Sequence, residues 1–287
     1  MFKTQNQVYP VSSNLITFST CWYILKSKFP VNTYLKWIQN LISIVNNFNL
    51  VIYTNSESLN TLISLINLTN INIKFIIKPI EDFHTYKYKD YWIKNHTESK
   101  INLHQIIDWK LNMLWNEKIF FVKETIQNKY FDSLYYGWCD IGYFRNRPND
   151  LNTSYLQKWP NPIKLYNETF NNNQIHYGCV QHNNDIINKL TNSIQTHYSN
   201  YLIDNPNVNY NENCYAGGFF LGKKDDLNTY SVLYDKKLQY YFSNNYFIKD
   251  DQSIVLDIIT MNPQLFYIHK ETNTQFDDWF MFQRLLV

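Results

Sequence analysis

Cysteine, glycine and proline are scarce in this chain of 287 residues, which contains 4 Cys, 6 Gly and 8 Pro. The cysteines lie far apart, with no Cys-x-x-Cys pair, which argues against a cysteine-ligated zinc site. Cys139 and Cys214 belong to apolar runs, so we expect buried thiols, as in a reducing compartment. No apolar run approaches 18 residues, and no signal-peptide core follows the first residue. We therefore expect a soluble cytoplasmic protein with no membrane span.

The sequence also lacks any block of residues with the same sign of charge. The net charge is +2 and the Lys and Arg residues are scattered, so we expect no nucleic-acid partner. Apolar residues make up 45% of the chain and aromatic residues 18%. This content is enough for a large core, so the chain is expected to fold as a globular protein.

The hydrophobic pattern predicts an α/β fold. Three strand-like runs alternate with two amphipathic helices in the first 80 residues, which predicts a mostly parallel sheet with right-handed crossovers. Residues 84–102 are polar and aromatic and are predicted to form an irregular loop. A helical region at 103–127 then leads to a fourth strand, and further strands are predicted. The predicted strands cover residues 14–20, 50–54, 71–80, the run that ends at Asp140, 175–181, 215–221 and 265–269.

Asp140 is the most informative residue of the chain. An aromatic strand ends there in one carboxylate, followed by Gly142 and Arg145. Ligands of open α/β sheets bind where strands end, so Asp140 is expected to hold the ribose or the metal ion of a nucleotide. The other interpretation is an aspartate that caps the next turn. Carboxylate oxygen suits Mg²⁺ or Mn²⁺, which neutralise a leaving diphosphate.

Two further motifs are candidates for chemistry. Asp250 and Asp251 open an apolar helix, where they either complement the helix dipole or supply a general base. Gly217 and Gly218 interrupt an aromatic strand, which indicates either a bulge or close approach of a ligand to the backbone.

A second metal ligand near Asp140 is missing from the motif, because Gly142 stands where a second acid would be useful. His269 ends a strand and is expected to supply that ligand. Lys26 and Lys270 are candidate contacts for a diphosphate. The hydroxyl-bearing end of the first strand, with Thr17, Ser19 and Thr20, is expected to line the nucleotide.

Taken together, the motifs resemble the HtrL/YibB (WlaTC-like) glycosyltransferases. The resemblance is most specific in two segments and covers nearly the whole chain. These segments are Trp115-Asn116-Glu117-Lys118 and Trp138-Cys139-Asp140-Ile141-Gly142-Tyr143-Phe144-Arg145. It extends to Ala216-Gly217-Gly218-Phe219-Phe220, Asp251-Gln252 and Asp278-Trp279-Phe280.

The resemblance implies a single GT-A-like, Rossmann-like domain over residues 1–287. Residues of about 12–145 would bind the nucleotide, and residues of about 146–287 would form the acceptor side. It also implies donor contacts from Lys118 and Arg145. The family commonly has an Arg after its first strand, whereas this chain offers lysines, which lack bidentate phosphate geometry.

The expected activity is transfer of a sugar from a nucleotide-sugar to a hydroxyl of a glycan, lipid-linked or protein acceptor. Asp251 would act as the base in an inverting reaction. One alternative is a non-catalytic sugar-binding module, in which the many aromatic side chains stack on sugar rings. Another is a nucleotidyltransferase, which would need a glycine-rich loop after the first strand. The segment from Ser19 to Lys28 contains no glycine.

Overall fold

One seven-stranded β-sheet organises the protein. The computed structural model describes residues 15–65, 70–99, 101–167, 169–200 and 212–287. Asn14, where the first strand was predicted to begin, lies outside these ranges, as do parts of the predicted domain 1–287. The strands are β1 (Ile16–Cys21), β2 (Asn49–Thr54), β3 (Ile73–Ile77), β4 (Tyr135–Cys139), β5 (Ile175–Cys179), β6 (Tyr215–Lys223) and β7 (Phe266–Lys270).

The strand order across the sheet is β3-β2-β1-β4-β6-β5-β7. Only β6 runs against its neighbours, and the pairings β1–β2, β2–β3, β1–β4 and β5–β7 are parallel. Each parallel pairing requires a crossover connection, and the helices that supply these crossovers cover the sheet faces. The predicted α/β class, with a mostly parallel central sheet flanked by helices, is confirmed.

Helices fill the connections between strands within the described residues. They are α1 (Val31–Ser43), α2 (Ser56–Ile63), α3 (Lys89–Thr97), α4 (Asn102–Ile106), α5 (Trp109–Trp115), α6 (Lys118–Gln127), α7 (Pro162–Leu165), α8 (Asn184–Asn200), α9 (Lys224–Ser243), α10 (Asp251–Met261) and α11 (Met281–Leu285). None of the helices in the described ranges combines the length and apolar character that crossing a bilayer requires.

Local sequence explains the first crossovers. Helix α1 buries Ile38 and Leu41, which are three residues apart on one helical face. Asn55 caps α2, because its side-chain oxygen accepts a hydrogen bond from the Ser58 N–H at 2.8 Å. The cap is therefore one residue before Ser56, the first residue of the helix.

Two helices depart from the sequence-based expectations. Residues 84–102 are not an irregular loop, because they contain α3, which buries Trp92 and Asn95. Helix α8 was not predicted, and it buries Leu190 and Ile194. Both helices are rich in polar residues of modest helix propensity, so packing against the core stabilises them more than their local sequence does.

Two apolar layers enclose the sheet. On one face, α1 packs with Phe18, Phe48, Trp159 and Phe219, and the Phe18 ring centroid lies within 5.4 Å of the other three. On the other face, α5, α6, α9 and α10 form the larger cluster. A cavity lies at the carboxyl end of β1 and β4, between the elements that these two layers support.

Candidate active site

A cavity of about 1130 Å³ opens at the carboxyl ends of β1 and β4. Its wall begins with the segment from Cys21 to Phe29, directly after β1. The first turn of α10, the start of β6 and the segment 277–280 contribute the other sides. The strand ends of a parallel sheet therefore converge on one cavity, as is typical of ligand sites in open α/β folds.

Asp140 lies at the floor of this cavity, directly after β4. Its backbone N–H donates to the Gly218 carbonyl at 2.8 Å, which extends the pairing of β4 and β6 by one residue. The indole N–H of Trp138 donates to Asp140 Oδ1 at 2.6 Å. The side chain is 40% exposed, so the carboxylate is fixed in direction yet accessible from the cavity.

Lys118 connects Asp140 to a second carboxylate. Its ammonium donates to Asp251 Oδ2 at 2.9 Å and lies 3.3 Å from Asp140 Oδ1. A third hydrogen bond, of 2.8 Å, goes to the Gly217 carbonyl. The side chains of Lys118 and Asp251 are 9% and 8% exposed, so the pair is screened little by water.

Burial and the charge of the ion-pair partner shift the pKa values of Asp251 and Lys118 in opposite directions. Burial raises the pKa of Asp251 to about 6, although the Lys118 ammonium opposes the shift. The pKa of Lys118 is raised above its ordinary range: burial lowers it, but the combined effect of Asp140 and Asp251 is larger. Lys118 therefore remains protonated at neutral pH, and Asp251 titrates near neutrality.

The two glycines of β6 make room for these carboxylates. A Cβ atom on Gly217 would lie 2.5 Å from Asp251 Oδ2, and one on Gly218 would lie 3.3 Å from Asp140 Oδ2. Both glycines line the cavity. The pairing of β5 with β6 shifts register between Tyr177 and Cys179, opposite these glycines, so the bulge interpretation applies. The groups that approach the glycine backbone in the structure are the two carboxylates, and approach of a ligand stays a prediction.

Both aspartates at the start of α10 line the cavity, although successive residues of a helix point about 100° apart. Asp250 is the N-cap residue and has an extended backbone, so the helical spacing does not apply to it. It makes no capping hydrogen bond; its Oδ2 lies 3.4 Å from the Lys249 ammonium. Among the described residues, its buried Oδ1 has no hydrogen-bond partner, and neither has the buried Oε1 of Gln252.

Three residues predicted to line the nucleotide are wrongly assigned. Thr17, Ser19 and Thr20 are fully buried inside β1 and do not line the cavity. Thr17 pairs with the Ser133 hydroxyl, and Ser19 pairs with the Thr125 hydroxyl, each at 2.8 Å. The strand continues to Cys21, so the chain reaches the cavity only after the hydroxyl-bearing segment.

Two predicted lysine contacts also lie elsewhere. Lys26 donates to the Gln105 carbonyl at 3.0 Å, and Lys270 donates to Asn184 Oδ1 at 3.1 Å, both on the exposed surface. Lys28, two residues after Lys26, lines the cavity instead. Sequence reasoning considered this segment but selected the wrong lysine, because the path of an irregular loop leaves no periodic signal.

The predicted metal site does not fit the residues present. His269 lies in β7, which β6 and β5 separate from β4. Its ring stacks on Phe170 and makes a 3.0 Å hydrogen bond with His176, in a buried environment outside the cavity. Burial lowers the pKa of His269 to about 4 and that of His176 to about 3. His269 is therefore a core residue, and Mn²⁺ or Mg²⁺ cannot be held jointly by Asp140 and His269.

The remaining carboxylates of the cavity do not replace that ligand. The described residues contain no group of three or more His, Cys, Asp or Glu side chains that could hold a metal ion. Between Asp140 and Asp251, the position that a cation would take already contains the Lys118 ammonium. The donor set thus suits a resident side-chain cation better than a divalent ion.

Comparison with known proteins identifies the family. The chain belongs to the HtrL_YibB family, whose model is described as "Bacterial protein of unknown function (HtrL_YibB)" and matches residues 20–286. The resemblance found in the sequence motifs is confirmed. No curated protein matches the sequence.

The solved structures to which this chain is similar include two glycosyltransferases. Mouse xyloside xylosyltransferase 1, in its apo form, is 13% identical and has a TM-score of 0.46 over 88% of this chain and 85% of its own. The galactosyltransferase LgtC, in complex with donor and acceptor sugar analogs, is 8% identical and has a TM-score of 0.43 over 84% of this chain and 70% of its own.

Proposed function

We propose that this protein is a GT-A type glycosyltransferase that moves a sugar from a nucleotide-sugar donor to a hydroxyl group of a glycan, lipid-linked or protein acceptor. The observation that carries this proposal is the arrangement of Asp140, Lys118 and Asp251 in one cavity at the carboxyl edge of the sheet. The motifs of the family resemblance contribute all three residues. A nucleotide-sugar is large and polar, and a cavity of about 1130 Å³ accommodates such a ligand.

The proposed roles follow from position. Asp140, which is accessible at the end of β4, binds donor hydroxyl groups. Gly217 and Gly218, which line the cavity, leave room for the Asp251 and Asp140 carboxylates beside the donor sugar or the acceptor. Arg145 and Lys118 supply positive charge on the two sides of Asp140. Lining residues come from the segments before and after residue 146, so we propose that one domain provides both the nucleotide side and the acceptor side.

The proposed transfer breaks the bond between the sugar C1 and the diphosphate oxygen, and the diphosphate keeps the electron pair. The acceptor hydroxyl oxygen forms the new bond to C1 and loses its proton. For an inverting reaction, Asp251 takes up that proton, because its pKa near 6 allows it to be a carboxylate at neutral pH and to accept a proton. Asp250, with one unpartnered carboxylate oxygen, is the second candidate for this role.

The test is release of nucleoside diphosphate from a panel of nucleotide-sugars, with Asp140→Asn as the control. A true donor should also stabilise the protein: a concentration 100-fold above Kd adds about 2.7 kcal/mol. For 287 residues this corresponds to a rise in Tm of about 4 °C. Stabilisation without release of nucleotide from any donor would instead identify a non-catalytic sugar-binding module.

A further inference from the structure

The second acid that a metal–diphosphate site would need is excluded sterically at position 142. A Cβ atom on Gly142 would lie 2.8 Å from Cε3 of Trp37, a contact that real side chains do not make. Trp37 is held in turn by edge-on ring contacts with Phe29 and Tyr34. A carboxylate at this position would therefore require repacking of the aromatic cluster beside the cavity.

A guanidinium group occupies the neighbourhood of Gly142. Arg145 Nε donates to the Gly142 carbonyl at 3.0 Å, and the guanidinium carbon lies 4.3 Å from the Trp37 ring centroid. Phe280 covers it from another side at 5.0 Å. The backbone bond and the two rings fix the direction of the guanidinium group, which lines the cavity.

Two of the five cations that line the cavity have no anionic partner among the described residues. Lys118, Lys249 and Arg147 each lie within 3.4 Å of a carboxylate oxygen. Arg145 has no ion pair, and its N–H groups other than Nε–H have no hydrogen-bond acceptor in the described part of the chain. The Lys28 ammonium has no ion pair there either and lies 4.9 Å from the Trp115 ring centroid.

Leaving a partly desolvated cation without an anion is unfavourable, and a site that does so is suited to an anionic ligand. Loss of water around Arg145 is large enough to lower its pKa, in spite of the nearby Asp140. By contrast, the two carboxylates that could attract a divalent ion are bridged by the Lys118 ammonium, which lies between them and compensates one of their two charges. Positive charge for a ligand is therefore available from Arg145 and Lys28.

We propose that Arg145 and Lys28 bind the diphosphate of the donor directly and stabilise the leaving nucleoside diphosphate, in place of a divalent cation held by carboxylates. This assignment rests on the proposed function, since it concerns the donor of the same cavity. When the bond between C1 and the diphosphate oxygen breaks, the electron pair remains on that oxygen. The two side chains then compensate the added negative charge without any change in their own protonation.

The test measures nucleoside diphosphate binding by isothermal titration calorimetry, with UDP, GDP, CDP and ADP and the matching monophosphates as probes. Each titration is run in excess EDTA and in Mn²⁺. For the diphosphate that binds most tightly, EDTA should change Kd by less than about threefold. Arg145→Met and Lys28→Met, which keep an apolar stem, should each weaken diphosphate binding about 10- to 100-fold, the value of one charged hydrogen bond. In the same two variants, the affinity for the matching monophosphate should decrease by a smaller factor.

Matched variants separate charge from folding. Lys26→Met removes a lysine from the same segment that does not line the cavity, and it should bind the diphosphate as tightly as the unaltered protein. Arg145→Lys should recover part of the affinity lost in Arg145→Met, although it lacks the bidentate geometry. Thermal melts confirm that each variant is folded.

The outcomes distinguish this inference from the proposed function. Binding that requires Mn²⁺, or that is unchanged in Arg145→Met and Lys28→Met, would overturn the inference and leave the nucleotide-sugar donor intact. Failure of every nucleoside diphosphate to bind, with and without Mn²⁺, would instead remove the nucleotide-sugar donor itself. Binding in EDTA that both variants weaken supports the inference.

Discussion

Replacing Lys118 by methionine should destabilise the protein in a pH-dependent manner. The substitution keeps most of the apolar stem but removes the ammonium that lies 2.9 Å from Asp251 and 3.3 Å from Asp140. The side chain of Asp251 is only 8% exposed, so its carboxylate would remain buried without a counter-ion. Removing one partner of a buried ion pair costs about 3–5 kcal/mol.

The expected shift in melting temperature follows from the size of the chain. Unfolding entropy is about 2.1 cal/mol/K per residue, which for 287 residues gives about 0.6 kcal/mol/K. A loss of about 4 kcal/mol therefore lowers Tm by about 7 °C. Urea unfolding, monitored by tryptophan fluorescence, should give the corresponding decrease in the free energy of unfolding.

The pH dependence has a definite sign. In the native protein the pKa of Asp251 is about 6, above its unfolded value of about 3.9. Ionisation of Asp251 therefore reduces the free energy of unfolding at pH above 6. Below about pH 4 the side chain is protonated in both states, and the free energy of unfolding is not reduced. Without Lys118 this folded pKa rises further, and the reduction grows. The deficit of Lys118→Met should therefore be small near pH 4 and large at pH 8. Lys118 itself stays charged across this range, because its folded pKa is raised.

Lys123→Met provides the matched control, since Lys123 lies on the same helix and forms no ion pair among the described residues. Its stability should change little at either pH. The interpretation of the Lys118 site would be refuted if Lys118→Met unfolded no more easily than Lys123→Met at pH 8. A deficit of equal size at pH 4 and pH 8 would contradict the buried, uncompensated carboxylate.

Three further predictions concern activity. Asp140→Asn should reduce nucleotide release by about 10² or more with a nearly unchanged Tm, and near-normal turnover would remove Asp140 from the site. The rate should rise with pH through about 6 as Asp251 loses its proton. Asp251→Asn should lower kcat strongly with little change in the Kd of the donor. If Asp250→Asn instead lowers kcat without changing the donor Kd, Asp250 is the base. Gly217→Ala places a Cβ atom 2.5 Å from the Asp251 carboxylate and should lower the rate about 10- to 100-fold. The control is Gly178→Ala, whose Cβ atom contacts the flexible Met281 side chain outside the cavity, and its rate should be close to that of the unaltered protein.

Much of the fold is determined by local patterns in the sequence. Alternating strands and helices in the first 80 residues require parallel pairing, and the structure contains that pairing. The carboxylate at the end of an aromatic strand predicted the position of Asp140 at the sheet edge. A glycine pair within a strand indicated a bulge at Gly217 and Gly218 as one of two alternatives, and the shifted pairing of β5 with β6 contains it. These features depend on residues near in sequence, so they can be recognised without the tertiary structure.

Helices α3 and α8 show where local patterns are insufficient. Helix α8 spans Asn184–Asn200 and contains four Asn residues, which favour turns over helix interiors. Its helical state depends on burial of Leu190 and Ile194 against the rest of the protein. A sequence window contains the two apolar residues but not the surface that they cover.

The composition of the site was decided by the tertiary structure. Thr17 and Ser19 are strand residues whose hydroxyls are covered by neighbours more than 100 residues away in sequence. His269 lies in a strand as predicted, although the strand continues to Lys270, and the order of the strands across the sheet separates it from Asp140. Lys118 was expected to contact the donor. Its ion pair with Asp251 spans 133 residues and depends on the packing of α6 against β1 and β4 and of α10 against β6. Side-chain periodicity specifies which face a residue occupies, whereas the distances between faces depend on strand order and helix packing, which arise only when the whole chain is folded.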